Sequence, residues 1–301
     1  MKKVLVISGP TATGKSKLAI ECAKAYNGEI ISGDSVAIYR QCTIGSAKTT
    51  IEEQDGIVHH GIDIKDVTEG FSVYEFQHMA RTLIDDIVQR GKLPIVVGGT
   101  GLYIKALLYD YHMQPMSDVD MSWVEDKTNE QLHQLLKEVD EVESMKIHPN
   151  NRKRVIRALT IYYSSKKSKS EWISDQKKTL LYDVKLVGLD GPRSWVYDRI
   201  NYRVEQMIKQ GLEDEVRNIV NMAGWDCLAM SAIGYKEFRG YVEGDKTLID
   251  VVEEIKKHTR QFAKRQWTWF NHQLPVQWLD VSQPESQTIL LKEVHEWLMN
   301  P

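Results

Sequence analysis

The sequence predicts an α/β fold, a parallel sheet wrapped by helices and interrupted by a mainly helical insertion. Three observations predict it. A β-branched apolar run, KVLVIS at 3–8, ends on a glycine loop that opens a helical pattern. Strand-like and helix-like segments then alternate through the first hundred residues, the order that builds parallel sheets. The middle of the chain switches abruptly in charge: 110–144 holds ten acids and two bases, a local charge of −8, and 145–178 holds ten bases and two acids, a local charge of +8.

Taken in order, 3–8 is a buried strand bounded by Gly9-Pro10. A helix from about Gly14 to Tyr26 puts Leu18, Ala19, Cys22 and Ala23 on one face, and Asn27-Gly28 ends it. EIIS at 29–32 is a second strand, closed by Gly33-Asp34-Ser35. Residues 72–90 repeat Val73, Phe76, Met79, Ala80, Leu83, Ile84 and Ile87 at helical spacing and stop at Gly91. A third strand, 93–97, closes on Gly98-Gly99-Thr100-Gly101, and Tyr103, Lys105 and Leu107 read as the helix that follows. The insertion carries helices at 125–143 and 151–163 and a mobile polar loop at 164–172. The chain returns to the sheet with VKLVGLD at 184–190, followed by helices at 193–209, 211–222 and 247–271. The expected division is a core of 1–114 and 187–301 around an insertion at 115–186.

The chain has 301 residues, 42% hydrophobic and 27% charged, an ordinary globular composition. Its apolar runs fall short of the ~20 residues a membrane span needs, and MKKVLVISGP runs into a glycine loop without a small-residue cleavage site, so it reads as a first strand and not a signal peptide. Cys22, Cys42 and Cys227 are odd in number and far apart, which argues against a disulfide scaffold and a zinc site and favours the cytosol. His59-His60 with Asp63 is a poor metal site, because neighbours on an extended strand point to opposite faces.

Gly9-Pro10-Thr11-Ala12-Thr13-Gly14-Lys15-Ser16 fits G-x-x-x-x-G-K-[ST] with a strand before it and a helix after it, so the fold is P-loop NTPase-like. Converging N–H groups and a helix N-terminus suit a phosphate, Lys15 reaches phosphate oxygens, and the Ser16 hydroxyl suits Mg²⁺. The motif specifies polyphosphate and not ATP. The apolar strand at 93–97 ends in glycines and a threonine and not in a metal-supporting acid; the nearest acid of the right kind is Asp34, at the carboxyl end of the second strand where ligands of such sheets bind. A P-loop kinase of a small metabolite places an acid there too. Asp34 also suits a simple turn, as Thr100 suits capping.

The stretches GPTATGKSKLAI (9–20), IISGDSVAIYR (30–40), IGSAK (44–48), HHGIDI (59–64), VVGGTGLYIKALL (96–108), HPNNRKRVIRAL (148–159), YDRINYRVEQMIKQGLEDEV (197–216), AIGYKEF (232–238) and TRQFAKRQWTWF (259–270) together resemble the bacterial tRNA dimethylallyltransferases, in order and over nearly the whole chain. Thr49, Gln41-Cys42-Thr43 and Trp123 depart from the family pattern; Trp123 falls where many relatives carry an arginine.

The resemblance implies a cytoplasmic transfer of a dimethylallyl group from its diphosphate to N6 of the adenosine 3′ of the anticodon, position 37, in tRNAs that read codons beginning with U. It implies a diphosphate held by Gly9 to Ser16 with Mg²⁺ at Ser16, and Asp34, Thr100 and Arg203 as catalytic residues, Asp34 as the base that N6 needs. It implies tRNA contacts at Asp34, Ser35, Val36, Ala37, Thr100, Trp123, Lys153, Arg154, Val155, Ile156, Arg157, Lys257, Arg260 and Lys264, the insertion acting as a clamp on the anticodon stem-loop; a monomer suffices for that. Arg152 belongs to the same basic run, and Arg199 lies one turn before Arg203. Lys256, Lys257, Arg260, Lys264 and Arg265 form a second basic cluster, and Trp267, Trp269 and Phe270 read as core. The net charge of −3, which argues against a nucleic-acid partner, conceals this distribution.

Overall fold

The computed structural model describes residues 1–111, 119–177 and 179–300 and divides into two compact units, Met1–Leu108 with Leu180–Pro301 and Tyr109–Thr179. In the first unit the elements run β1 (Lys3–Ser8), α1 (Lys15–Ala25), β2 (Gly28–Ser32), α2 (Ile51–Gln54), β3 (His59–His60), α3 (Val73–Gln89), β4 (Leu93–Val97) and α4 (Gly101–Leu108). After the second unit, whose described α-helices take the labels between, they resume with β5 (Asp183–Asp190), α9 (Arg193–Lys209), α10 (Leu212–Ala223), α11 (Arg239–Val242), α12 (Leu248–Gln273), β6 (Gln277–Asp280) and α13 (Ser286–Met299).

Among the described residues six strands form one parallel sheet in the order β3-β2-β4-β1-β5-β6. Its centre is continuous apolar chain, as a sheet covered on both faces requires: Val4, Leu5, Val6 and Ile7 are fully buried. Leu5, Ile7, Ile95, Val187 and Leu189 pack with α1 and with Leu290 and Val294 of α13. A second core gathers Ile38, Tyr39, Val204, Val216, Tyr235, Phe238, Val251 and Ile255 between the segment after β2 and helices α9, α10 and α12. No described helix is long and apolar enough to cross a membrane.

The expected strands and helices of this unit are present, with ends shifted by a residue or two. The β6 strand and α13 were not foreseen, and β3 falls on the extended His59-His60 pair. The insertion boundary at 186 is corrected, because Asp183 to Leu186 already pair with Lys3 to Val6 in β5; the boundary at 115 and the basic residue Lys178 fall outside the described residues.

The sheet carries one buried charge cluster. Glu29 of β2 is 2% exposed and accepts from Lys92 at 2.8 Å, from Arg90 and from His60 Nε2 at 2.8 Å. The Arg90 hydrogen bonds hold its carboxyl far below the usual carboxylate range against the opposing effect of burial. Replacing Glu29 with glutamine is expected to cost about 3 kcal/mol, read as a lower urea midpoint at pH 7. A depressed carboxyl contributes its stability above the unfolded value of about 4.3 and loses it as pH falls through the folded one, so parent and variant converge only in strong acid.

The second unit holds α5 (Asn129–Val139), α6 (Glu141–Ser144), α7 (Arg152–Ser165) and α8 (Lys169–Ser174) around Val124, Leu132, Leu136, Ile147, Val155, Ala158 and Leu159. The single helix expected at 125–143 is broken at Asp140, whose carboxylate caps α6 through Glu143 N at 3.0 Å and also accepts from Ser170 N at 2.9 Å and its hydroxyl at 2.6 Å. The loop expected at 164–172 is partly helical: Ser168 and Glu171 form a reciprocal capping box that starts α8.

Candidate active site

The phosphate loop follows from two backbone requirements. Gly9 has φ 121°, and a Cβ there would lie 2.4 Å from the Leu189 carbonyl of β5; Gly14 has φ 87° and caps α1. The Thr13 hydroxyl donates to the Pro10 carbonyl at 2.9 Å and Lys15 Nζ donates to the same oxygen at 2.6 Å. Gly9, Pro10 and Thr13 therefore shape the loop from behind, and Thr11, Ala12, Gly14, Lys15 and Ser16 line the cavity in front of it. Burial, and then Arg203, push the Lys15 ammonium down to about 7, with Asp34 pulling the other way.

That cavity, about 1300 Å³, also takes in Asp34, Ala37, Ala47, Arg199 and Arg203. A second cavity of about 490 Å³ is lined by Ser35, Val36, Tyr103, Thr100, Lys236 and Arg265. Asp34, Arg203, Phe262 and Gln266 line both. Asp34 thus stands where two cavities meet, with the phosphate loop on one side and Thr100 on the other. One oxygen, Oδ1, accepts from the N–H groups of Val36 at 2.7 Å and Ala37 at 3.1 Å, which fixes the carboxylate in its turn. The Thr100 hydroxyl lies 3.5 Å from that of Ser35.

Arg203 and Arg199 project from α9. Arg199 Nε donates to the Ala12 carbonyl at 2.7 Å, and its guanidinium sits 4.7 Å from the Trp195 ring centroid. Arg203 donates to the Ala47 carbonyl at 3.2 Å; burial lowers its pKa, Asp34 and Glu53 raise it, and a guanidinium stays charged throughout. The turn presenting Ala47 is held by Glu215 of α10, whose carboxylate accepts from the N–H groups of Thr43 at 2.9 Å, Ile44 at 2.7 Å and Gly45 at 2.9 Å and from the Tyr235 hydroxyl at 2.8 Å.

The exposed Ser16 hydroxyl stands at the start of α1. Among the described residues no group of three or more His, Cys, Asp or Glu could hold a metal ion. One hydroxyl beside a phosphate loop fits Mg²⁺, which takes most of its ligands from phosphate oxygens and water. The histidine pair faces two ways: His59 Nδ1 meets the Ile57 carbonyl at 2.9 Å and His60 turns to Glu29.

Several residues expected to meet substrate have partners within the chain. Thr11 N–H is not open to a phosphate, since it donates to Gln266 Oε1 at 3.0 Å. Val155 is fully buried, Ile156 packs against the same core, and Trp123 meets Tyr163 edge to face at 5.5 Å. Arg152 is occupied by the carbonyls of Lys127 at 2.7 Å and Val124. Lys256 is ion-paired with Glu205 and Glu253, each at 3.0 Å, and Arg260 donates to Asn201 at 2.6 Å. Lys153, Arg154, Arg157, Lys257 and Lys264 are exposed. Phe270 is buried, as expected, and Trp267 stacks on Trp278 at 6.2 Å. Gln266 and Phe262 were missed. A signal existed for Gln266: it is a polar residue on the buried face of α12 with Ile255, Ala263 and Phe270.

The model of the family described as IPP transferase matches residues 37–273. The chain is 48% identical over 299 residues to the tRNA dimethylallyltransferase of Anoxybacillus flavithermus, covering 99% of this chain and 95% of that one. It is 46% identical to the enzyme of the same name from Geobacillus thermodenitrificans, covering 99% and 96%. Among solved structures it resembles the tRNA delta(2)-isopentenylpyrophosphate transferase of Staphylococcus epidermidis, with 42% identity, TM-score 0.74 and 99% of both chains covered. A eukaryotic dimethylallyltransferase acting on tRNA matches with 29% identity and TM-score 0.86, over 100% of this chain and 80% of the other. A family model that spans most of the chain and relatives nearly half identical from end to end place it plainly: the chain belongs to the IPP transferase family, with the tRNA dimethylallyltransferases.

Proposed function

We propose that the chain transfers a dimethylallyl group from dimethylallyl diphosphate to N6 of the adenosine at position 37 of tRNAs reading codons that begin with U. The observation that carries this reading is the position of Asp34, between a phosphate-loop cavity and a second cavity bearing Thr100.

The diphosphate lies on the N–H groups of residues 12–16, with Lys15 and Arg203 above it. As the C1–O bond breaks, its electron pair leaves with the diphosphate, and these groups stand ready for the added charge. The Ser16 hydroxyl would hold Mg²⁺, which would supply further neutralisation of the phosphate oxygens. The adenine, turned out of its stack, enters the second cavity beside Thr100, Ser35 and Val36. Its N6 lone pair is delocalised into the ring, so bond formation to C1 needs a base, and the free oxygen of Asp34 takes the N6 proton. The transfer balances without another co-reactant.

RNA phosphates meet Lys257 and Lys264 on α12 and Lys153, Arg154 and Arg157 on α7, the helical unit serving as the clamp. Changing Arg154 and Arg157 together to alanine is expected to weaken tRNA binding and to lower the slope of log affinity against log salt by about 1 to 2, measured by fluorescence anisotropy. An unchanged slope contradicts the clamp. The test of the reaction itself is labelled dimethylallyl diphosphate offered to tRNA and to AMP in parallel: label accumulates in tRNA, whereas equal use of AMP overturns the RNA reading.

A further inference from the structure

Gln266 is 7% exposed and uses both ends of its amide. Its Oε1 accepts from the Thr11 N–H at 3.0 Å, and its Nε2 donates to the Gly99 carbonyl at 3.0 Å. Thr11 belongs to the phosphate loop after β1; Gly99 immediately precedes Thr100 in the turn after β4. Backbone hydrogen bonds that hold β1 to β4 end with Gly98 N on the Ile7 carbonyl, at 3.3 Å. Beyond that point the Gln266 amide bridges the two loops. The fit is tight: a Cβ on Gly99 would lie 2.2 Å from Gln266 Nε2.

We infer that Gln266 is a positioning residue that sets the spacing between the leaving-group loop and the acceptor turn. This rests on the transferase reading of the site. Each loop keeps its own ligand groups without Gln266, so each substrate still binds. The distance and angle between the reacting carbon and N6 depend on both loops at once, and a misplacement of about 1 Å costs about a hundredfold in rate.

The test compares the full chain with Gln266→Met, which keeps length and removes both hydrogen bonds, and with Gly99→Ala, which displaces the amide sterically. The single-turnover rate with both substrates saturating is expected to fall about a hundredfold in each variant, while the dissociation constants for dimethylallyl diphosphate and for tRNA stay near those of the parent. A rate equal to the parent's overturns the inference. So does a rate that falls only with the folded fraction in thermal melts, or together with both affinities, because a merely structural role gives that pattern. A parent chain that binds both substrates and prenylates nothing is instead a failure of the transferase reading.

Discussion

Asp34→Asn lowers the rate of transfer by about 10²- to 10⁴-fold, with dimethylallyl diphosphate and tRNA still bound. Asparagine is the informative replacement. Oδ1 of Asp34 accepts from Val36 and Ala37 and holds the turn at the end of β2; an asparagine oxygen keeps those bonds and removes the ability to take a proton, together with the charge that faces Lys15 and Arg203. Asp34→Ala also loosens the turn that carries Ser35 and Val36, so its larger loss mixes chemistry with acceptor binding. Single-turnover rates beside separately measured dissociation constants make the distinction. An asparagine variant with the parent's rate excludes Asp34 as the base.

Lys15→Ala is expected to reduce kcat/KM for dimethylallyl diphosphate by about 10²- to 10³-fold and to abolish a pH dependence that the parent displays. Burial and Arg203 bring the free ammonium down to about 7, and a bound diphosphate raises it again. Below about 7 the lysine is already charged and contributes no pH dependence. Above that value binding must take up a proton, so affinity falls about tenfold per pH unit. Affinities measured from pH 7 to 9 decline in the parent and stay flat in the alanine variant. Matching slopes in the two proteins would remove Lys15 as their origin.

The parts of this molecule written in local sequence were legible. The phosphate loop, the β-branched strands and the helices α3, α9 and α12 all have periodicities or motifs of their own, and Asp34, Thr100 and Arg203 line two cavities that share residues. What was not legible depended on partners distant in the chain. The short β6 strand is recognisable only from its pairing with β5. Val155 and Arg152 sit in a basic run, but helical geometry turns Val155 inward and three backbone and side-chain acceptors occupy Arg152. The pairing of Lys256 with Glu205 crosses from α12 to α9, so a stretch without acids in sequence is not a stretch without acids in space. Gln266 and Glu215 act through backbone groups 255 and about 170 residues away, on loops whose shape no local pattern encodes.

The transfer is read with one unmodified tRNA transcript carrying adenosine at position 37, incubated with the full chain, Mg²⁺ and dimethylallyl diphosphate, then digested to nucleosides for mass spectrometry. The expected product is adenosine heavier by one dimethylallyl group, formed only at position 37 and in step with diphosphate release. Diphosphate released without a prenylated nucleoside, or a transcript left wholly unmodified, would contradict it.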